Sequence, residues 1–221
     1  MKRIITSILA VTLAAGTIAL YVYGRSLWHP IYVKIAGERS IEKVLADIAI
    51  RTPELNEFSH TKINILVFKQ ERTVKVVDRR DLYEFKMTAF SGRLGPKIIS
   101  GDGQIPEGIY RITSLNPNSS YHLSMKISYP NPDDLERCKR ENIVNPGKDI
   151  YIHGKYTSDG CIAIGDKSIE KLFYMVYKVG LDNVNVIIAP SETYKEEFRQ
   201  SEDKALYDRI YNEIDKLYKD S

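Results

Sequence analysis

The stretch KINILVFKQERTVKVVD, residues 62–78, constrains this chain more than any other. Two β-branched, apolar runs flank the polar segment Lys69–Arg72, which reads as two strands joined by a turn. DLYEFKMTAFSG follows as a third strand, with Leu82, Glu84, Lys86 and Thr88 alternating against Tyr83, Phe85, Met87 and Ala89. GIYRITSL, YHLSMKISY, DIYIHG and NVNVIIAP are further strands, and GDGQIPEG is a loop punctuated by glycines and a proline. The polar NPDDLERCKRENIVNPGKD reads as a surface excursion. Such a series predicts a mainly β body, a compact sandwich or barrel with α additions.

Helical periodicity occurs at three places. Ile41, Val44, Leu45 and Ile48 share one face behind Ser40, a natural cap, and Pro53 ends the run. Ile169, Leu172, Phe173, Val176 and Tyr177 follow Asp166, read as an N-cap, and stop at Gly180. The charged tail carries a stripe of Phe198, Leu206, Ile210, Ile214 and Leu217, expected to pack on the domain as a helix.

Lys2 and Arg3 precede an uncharged run from Ile4 to Tyr23. Roughly 20 apolar residues at 1.5 Å each match a hydrocarbon core of about 30 Å. The run is therefore expected to be an uncleaved transmembrane helix, with the N-terminus in the cytoplasm and the body on the periplasmic face of the inner membrane. A cleaved signal segment is the rival, and either leaves the body exported. The resulting organisation is an anchor or signal (1–25), a spacer and helix (26–60), a β-rich domain (61–190) and a helical tail (191–221).

Net charge is +3, from 32 basic and 29 acidic residues without a basic block, which gives nucleic-acid binding no support. The two cysteines, Cys138 and Cys161, are expected to be free thiols, with Cys138 an incidental loop residue. No C-x-x-C and no paired histidine spacing exists, so neither a metal nor a cofactor is expected.

The chemistry concentrates in IHGKYTSDGCIAIGD, residues 152–166. His153 ends a strand and Cys161 follows a tight Ser-Asp-Gly loop eight residues later. A cysteine reacts as thiolate, and a nearby imidazole can take its proton. The N–H groups of Gly160 and Cys161 are candidate oxyanion donors, and Gly154 permits close approach beside His153. Read without further context, a lone histidine and a lone cysteine are equally compatible with a structural role.

IHG followed by S-x-G-C-I resembles the signature of the YkuD-type L,D-transpeptidases, a family acting on bacterial peptidoglycan. GDGQIPEGIYRI is similar to their TPxGxF/Y strand. YHLSMKISYPNPDD, the short His-to-Cys gap and GCIAIGD before a helix resemble the YafK-like branch. The resemblance covers roughly residues 62–190. It implies Cys161 as nucleophile, His153 as general base or imidazolium partner, and Ser158 as the loop-shaping Ser/Thr. Asp159 stands where other members often have His or an apolar residue, which puts a negative charge near the thiolate. Tyr121, His122 and Asp159 are candidates to line the cleft, with a structural role for His122 equally open. The implied activity is two-step acyl transfer on peptidoglycan stem peptides through a thioester, ending in transpeptidation or hydrolysis. A peptidoglycan-linked lipoprotein is a further implied partner. The alternative is a non-catalytic, membrane-anchored envelope-binding or scaffold protein.

Overall fold

The computed structural model describes residues 2–219; within the first helix, the side chains of residues 2–6, 9, 22 and 23 lie outside the described ones. The chain runs α1 (Lys2–Tyr23), α2 (Arg25–Ala36), α3 (Ile41–Arg51), a 3-10 turn (Pro53–Glu57), β1 (Ile63–Phe68), β2 (Thr73–Asp78), β3 (Arg80–Lys86), β4 (Gly108–Asn116) and β5 (Ser124–Ile127). It continues through α4 (Pro132–Arg140), β6 (Tyr151–His153), β7 (Ile162–Ala163), α5 (Asp166–Val179), β8 (Val184–Ala189), α6 (Glu196–Arg199) and α7 (Lys204–Lys219).

The strands form one mixed sheet in the order β3-β2-β1-β8-β4-β5-β6-β7. β1 is antiparallel to β2 but parallel to β8, and β6 is parallel to β7. The sheet curls into a half-barrel. Just past β3, the Thr88 N–H donates to Ala163 O at 2.8 Å, and Ala89 bridges Ala163. The expected mainly β sandwich is therefore corrected: a single curled sheet forms, and more residues lie in helices than in strands. Apolar runs of β-branched residues fit a sandwich face and a helix-covered sheet equally well, so pattern alone does not separate the two.

β1 is buried along its whole length because both its faces are covered. Ile63, Ile65 and Val67 belong to the core that contains Ile169, Leu172, Phe173 and Val176 of α5, with Val44, Leu45 and Ile48 of α3. Leu66 and Phe68 face the opposite way, into a second cluster with Tyr207, Ile210, Tyr211 and Ile214 of α7. Ser40 caps α3 by accepting the Lys43 N–H at 3.2 Å.

The transmembrane expectation is also corrected. Among the described residues no helix is long and apolar enough to cross a membrane. The ends of the expected span, Ile4–Thr6 and Val22–Tyr23, have side chains outside the described ones. The segment read as a spacer contains α2, whose Arg25 Nε donates to Ser120 O at 2.7 Å. The excursion around Cys138 is helix α4, so Cys138 is a buried helical residue rather than a loop residue. A capping box starts α4: Asn131 accepts the Asp134 N–H and Asp134 accepts the Asn131 N–H.

Candidate active site

β6 delivers His153 and the turn before β7 delivers Cys161. Both line one cleft of about 310 Å³, together with Tyr121, Tyr151, Ser158 and Asp159 among others. His153 is 3% exposed. Its ring nitrogen Nδ1 lies 2.6 Å from Gly154 O, an acceptor only, so Nδ1 carries the proton and Nε2 is the basic nitrogen. The Tyr121 ring packs against the imidazole with centroids 4.6 Å apart. At rest the Cys161 thiol lies 3.9 Å from Asp149 O, and among the described residues it has no hydrogen bond to His153.

Burial governs the electrostatics of the pair. It pushes the Cys161 thiol up; the Tyr151 N–H opposes this, while the charge of Asp159 adds to it. Burial also pulls the His153 imidazole down, partly offset by its bond to Gly154 O. Both directions favour a neutral thiol beside a neutral imidazole over a standing thiolate–imidazolium pair. A neutral pair of this kind suits chemistry in which proton transfer to the imidazole accompanies attack by the sulfur.

Serines hold the turn that carries Cys161. Ser158 Oγ accepts the Cys161 N–H at 2.9 Å and donates to Cys161 O at 2.6 Å. Ser91 Oγ accepts the Gly160 N–H at 2.9 Å and donates to Gly103 O at 2.8 Å. Gly160 is buried with φ +83, and a Cβ there would sit 3.1 Å from Gln104 O, so both conformation and space call for glycine. The two N–H groups expected to serve an oxyanion thus already have serine partners.

The far side of His153 is clamped. A Cβ at Gly154 would lie 2.7 Å from both Asp166 Oδ1 and Tyr121 O, so this glycine admits protein atoms rather than substrate. Asp166 is the first residue of α5 and not its cap: its carboxylate accepts the Lys155 N–H at 2.8 Å and pairs with Lys155 Nζ at 2.6 Å. Thr88 Oγ1 donates to Lys155 O at 2.7 Å. Lys155 is held at φ +63, directly after the glycine whose carbonyl fixes the His153 tautomer.

Tyr121 and Asp159 line the cleft, and His122 does not. With φ +77, His122 turns away and its Nε2 meets Glu170 Oε1 at 2.6 Å, where Arg51 also pairs with Glu170. Its role is to tie the strand region to α5. Ser91 and Thr88 were not among the site residues singled out from sequence, and Asp166 was read only as a helix cap. Their contribution depends on contacts 11 to 69 residues away in the chain. Among the described residues no group of three His, Cys, Asp or Glu side chains could hold a metal ion.

Two expectations follow. Ser91→Ala leaves the buried Gly160 N–H without its acceptor and should lower kcat roughly tenfold to a hundredfold with a small change in KM. Wild-type kcat in that variant would show that Ser91 does not position the turn. Asp159 is exposed and, among the described residues, holds no hydrogen bond within the turn, so its influence on Cys161 is electrostatic. Asp159→Asn should shift the pH profile of Cys161 alkylation slightly toward lower pH, because removing the anion favours the thiolate. A shift toward higher pH contradicts this account.

The family model for the YkuD L,D-transpeptidase catalytic domain matches residues 62–188. The L,D-transpeptidase-like protein YafK of Escherichia coli (strain K12) is 32% identical over 165 residues, covering 68% of this chain. The match spans 65% of that relative's length. Similar solved structures include the helical cell shape determining protein Pgp2 from Campylobacter jejuni, at 22% identity and a TM-score of 0.48, covering 69% of this chain and 56% of that one. Another is L,D-transpeptidase 1 of Mycobacterium tuberculosis, at 14% identity and a TM-score of 0.35, covering 58% and 62%. The assignment rests on the domain match and the 32% relative, and on these the chain belongs to the YkuD family of L,D-transpeptidase catalytic domains.

Proposed function

We propose that the chain catalyses cysteine-dependent acyl transfer on peptidoglycan stem peptides through a thioester on Cys161. The observation that carries this reading is the shared cleft of Cys161 and His153, with the imidazole tautomer fixed so that Nε2 is the base. As Cys161 Sγ attacks the peptide carbonyl carbon, its proton passes to His153 Nε2. The C–N bond then breaks, the Nε2 proton goes to the departing amine, and the acyl group remains on sulfur. In the second step Nε2 takes a proton from the incoming amine or water, which attacks the thioester carbon. The sulfur leaves and recovers the proton. For the N–H groups of Gly160 and Cys161 to serve the oxyanion, each would exchange its serine partner for the substrate oxygen.

An amine in the second step gives a transpeptidase, and water gives an L,D-peptidase. The reading places the protein in the periplasm, where its substrate lies. The test is incubation of the purified protein with muropeptides, with mass analysis of products and of Cys161. Cross-linked products indicate transfer, trimmed stems indicate hydrolysis, and release of a stem-linked lipoprotein indicates a donor of that kind. Absence of every product and of any acyl mass on Cys161 would overturn the proposal.

A further inference from the structure

The cleft of Cys161 and His153 takes one wall from the loop between β4 and β5, residues 117–123, through Ser119, Ser120 and Tyr121. The Tyr121 ring rests on the His153 imidazole, and Tyr121 O lies 2.7 Å from where a Cβ at Gly154 would stand. Where this loop stands therefore decides where the imidazole stands.

The loop is gripped from α2 and the segment after it, which precede the matched residues 62–188. Arg25 Nε donates to Ser120 O at 2.7 Å. The Arg39 guanidinium donates to Pro117 O and to His122 O, the latter at 3.2 Å. The main chain of Arg39 is engaged as well. Its N–H donates to Asn118 Oδ1 at 2.9 Å, and its carbonyl accepts from Asn118 Nδ2 at 3.0 Å. Tyr121 is thus flanked, at Ser120 and His122, by two carbonyls that guanidiniums hold. A guanidinium suits this task, because its planar fork fixes the separation of two acceptors as a lysine ammonium does not. Arg39 is exposed and Arg25 half-buried, so their loss should change global stability little. What they fix is local. A displacement of about 1 Å in a reacting group can cost about 10²-fold in rate.

We propose that Arg25 and Arg39 are positioning residues for acyl transfer at Cys161, acting through this loop and Tyr121 on His153. The role in catalysis rests on the acyl-transfer reading; the placement of the imidazole does not, and the two are read separately. Full-length protein with labelled histidine is followed by NMR, and the His153 ring signals are identified by their loss in His153→Gln. Those signals carry the ring current of Tyr121, which Tyr121→Ala removes. In Arg25→Gln and in Arg39→Gln they should move part of the way toward their positions in Tyr121→Ala. The same two variants should lower kcat on muropeptides about tenfold or more, with Tm within about 4 °C of wild type. Arg39→Lys keeps the charge but loses the fork, and should share the fall in kcat. Unmoved His153 signals in both Gln variants, or an unchanged kcat in both, would overturn the assignment. If the wild-type protein forms neither product nor an acyl adduct on Cys161, the acyl-transfer reading fails, and the His153 signals alone decide whether the arginines place the ring.

Discussion

Cys161→Ala should abolish turnover of muropeptides, by about 10³-fold or more, while changing stability by no more than about 1 kcal/mol. In the proposed mechanism the thiol carries the acyl group, so no neighbour can replace it. Its side chain is only partly buried and sits in a turn held by Ser158 and Ser91 through backbone groups. Those bonds survive loss of the sulfur. Cys138→Ser is the control. Cys138 is a buried free thiol on α4, and burial raises it further, so it is a poor nucleophile. That variant should retain turnover even if its melting point falls. Near-normal turnover in Cys161→Ala would remove the nucleophile assignment. Loss of turnover in Cys138→Ser with an unchanged melting point would implicate the second thiol.

The strands of the core were legible because each carries its own signal. KINILVFKQERTVKVVD forms β1 and β2 around the turn read from its polar segment, and NVNVIIAP forms β8. β7 has two residues, too few for any periodicity, and exists because it completes the curl against Ala89. α4 is polar enough to pass for a loop, although N-P-D-D already spells its capping box. Asp166 illustrates a different difficulty. Aspartate before an apolar helical stripe reads as a cap, but the same carboxylate can reach outward, and here Lys155 claims it. His153 and Cys161 were singled out from residue type, spacing and the family resemblance together, and the structure brings both to one cleft. His122 shares the residue type but is turned away by its positive φ toward Glu170, which no local pattern announces. Ser91 lies 69 residues from the N–H it holds. Its role belongs to tertiary structure.

The largest stability effect should come from Glu107→Ala. Glu107 and Lys69 form an ion pair at 2.9 Å with both side chains fully buried. Burial pulls the Lys69 ammonium down and Glu107 opposes that shift. The pair is hydrogen-bonded throughout. Lys69 Nζ donates to Gly95 O at 2.7 Å and Ile105 O at 2.8 Å, and Glu107 accepts the Gly95 N–H at 2.9 Å and the Tyr207 hydroxyl at 2.9 Å. Removing the carboxylate strands a buried ammonium and leaves two donors without an acceptor, a loss of about 3–5 kcal/mol. For a chain of this size the melting point should fall by roughly 6–20 °C. Lys86 and Glu84 form an exposed pair of similar length, and Glu84→Ala should cost under about 1 kcal/mol. The contrast isolates burial as the cause. Replacing Lys69 and Glu107 together, as Lys69→Met with Glu107→Leu, should recover much of the loss because no charge is then left unpaired. The same bonds join α7 to the loop whose Gly103 and Gln104 back the Cys161 turn. Glu107→Ala should therefore also lower kcat at temperatures where the variant remains folded. A melting point within about 2 °C of wild type would show that the pair does not hold this loop against α7.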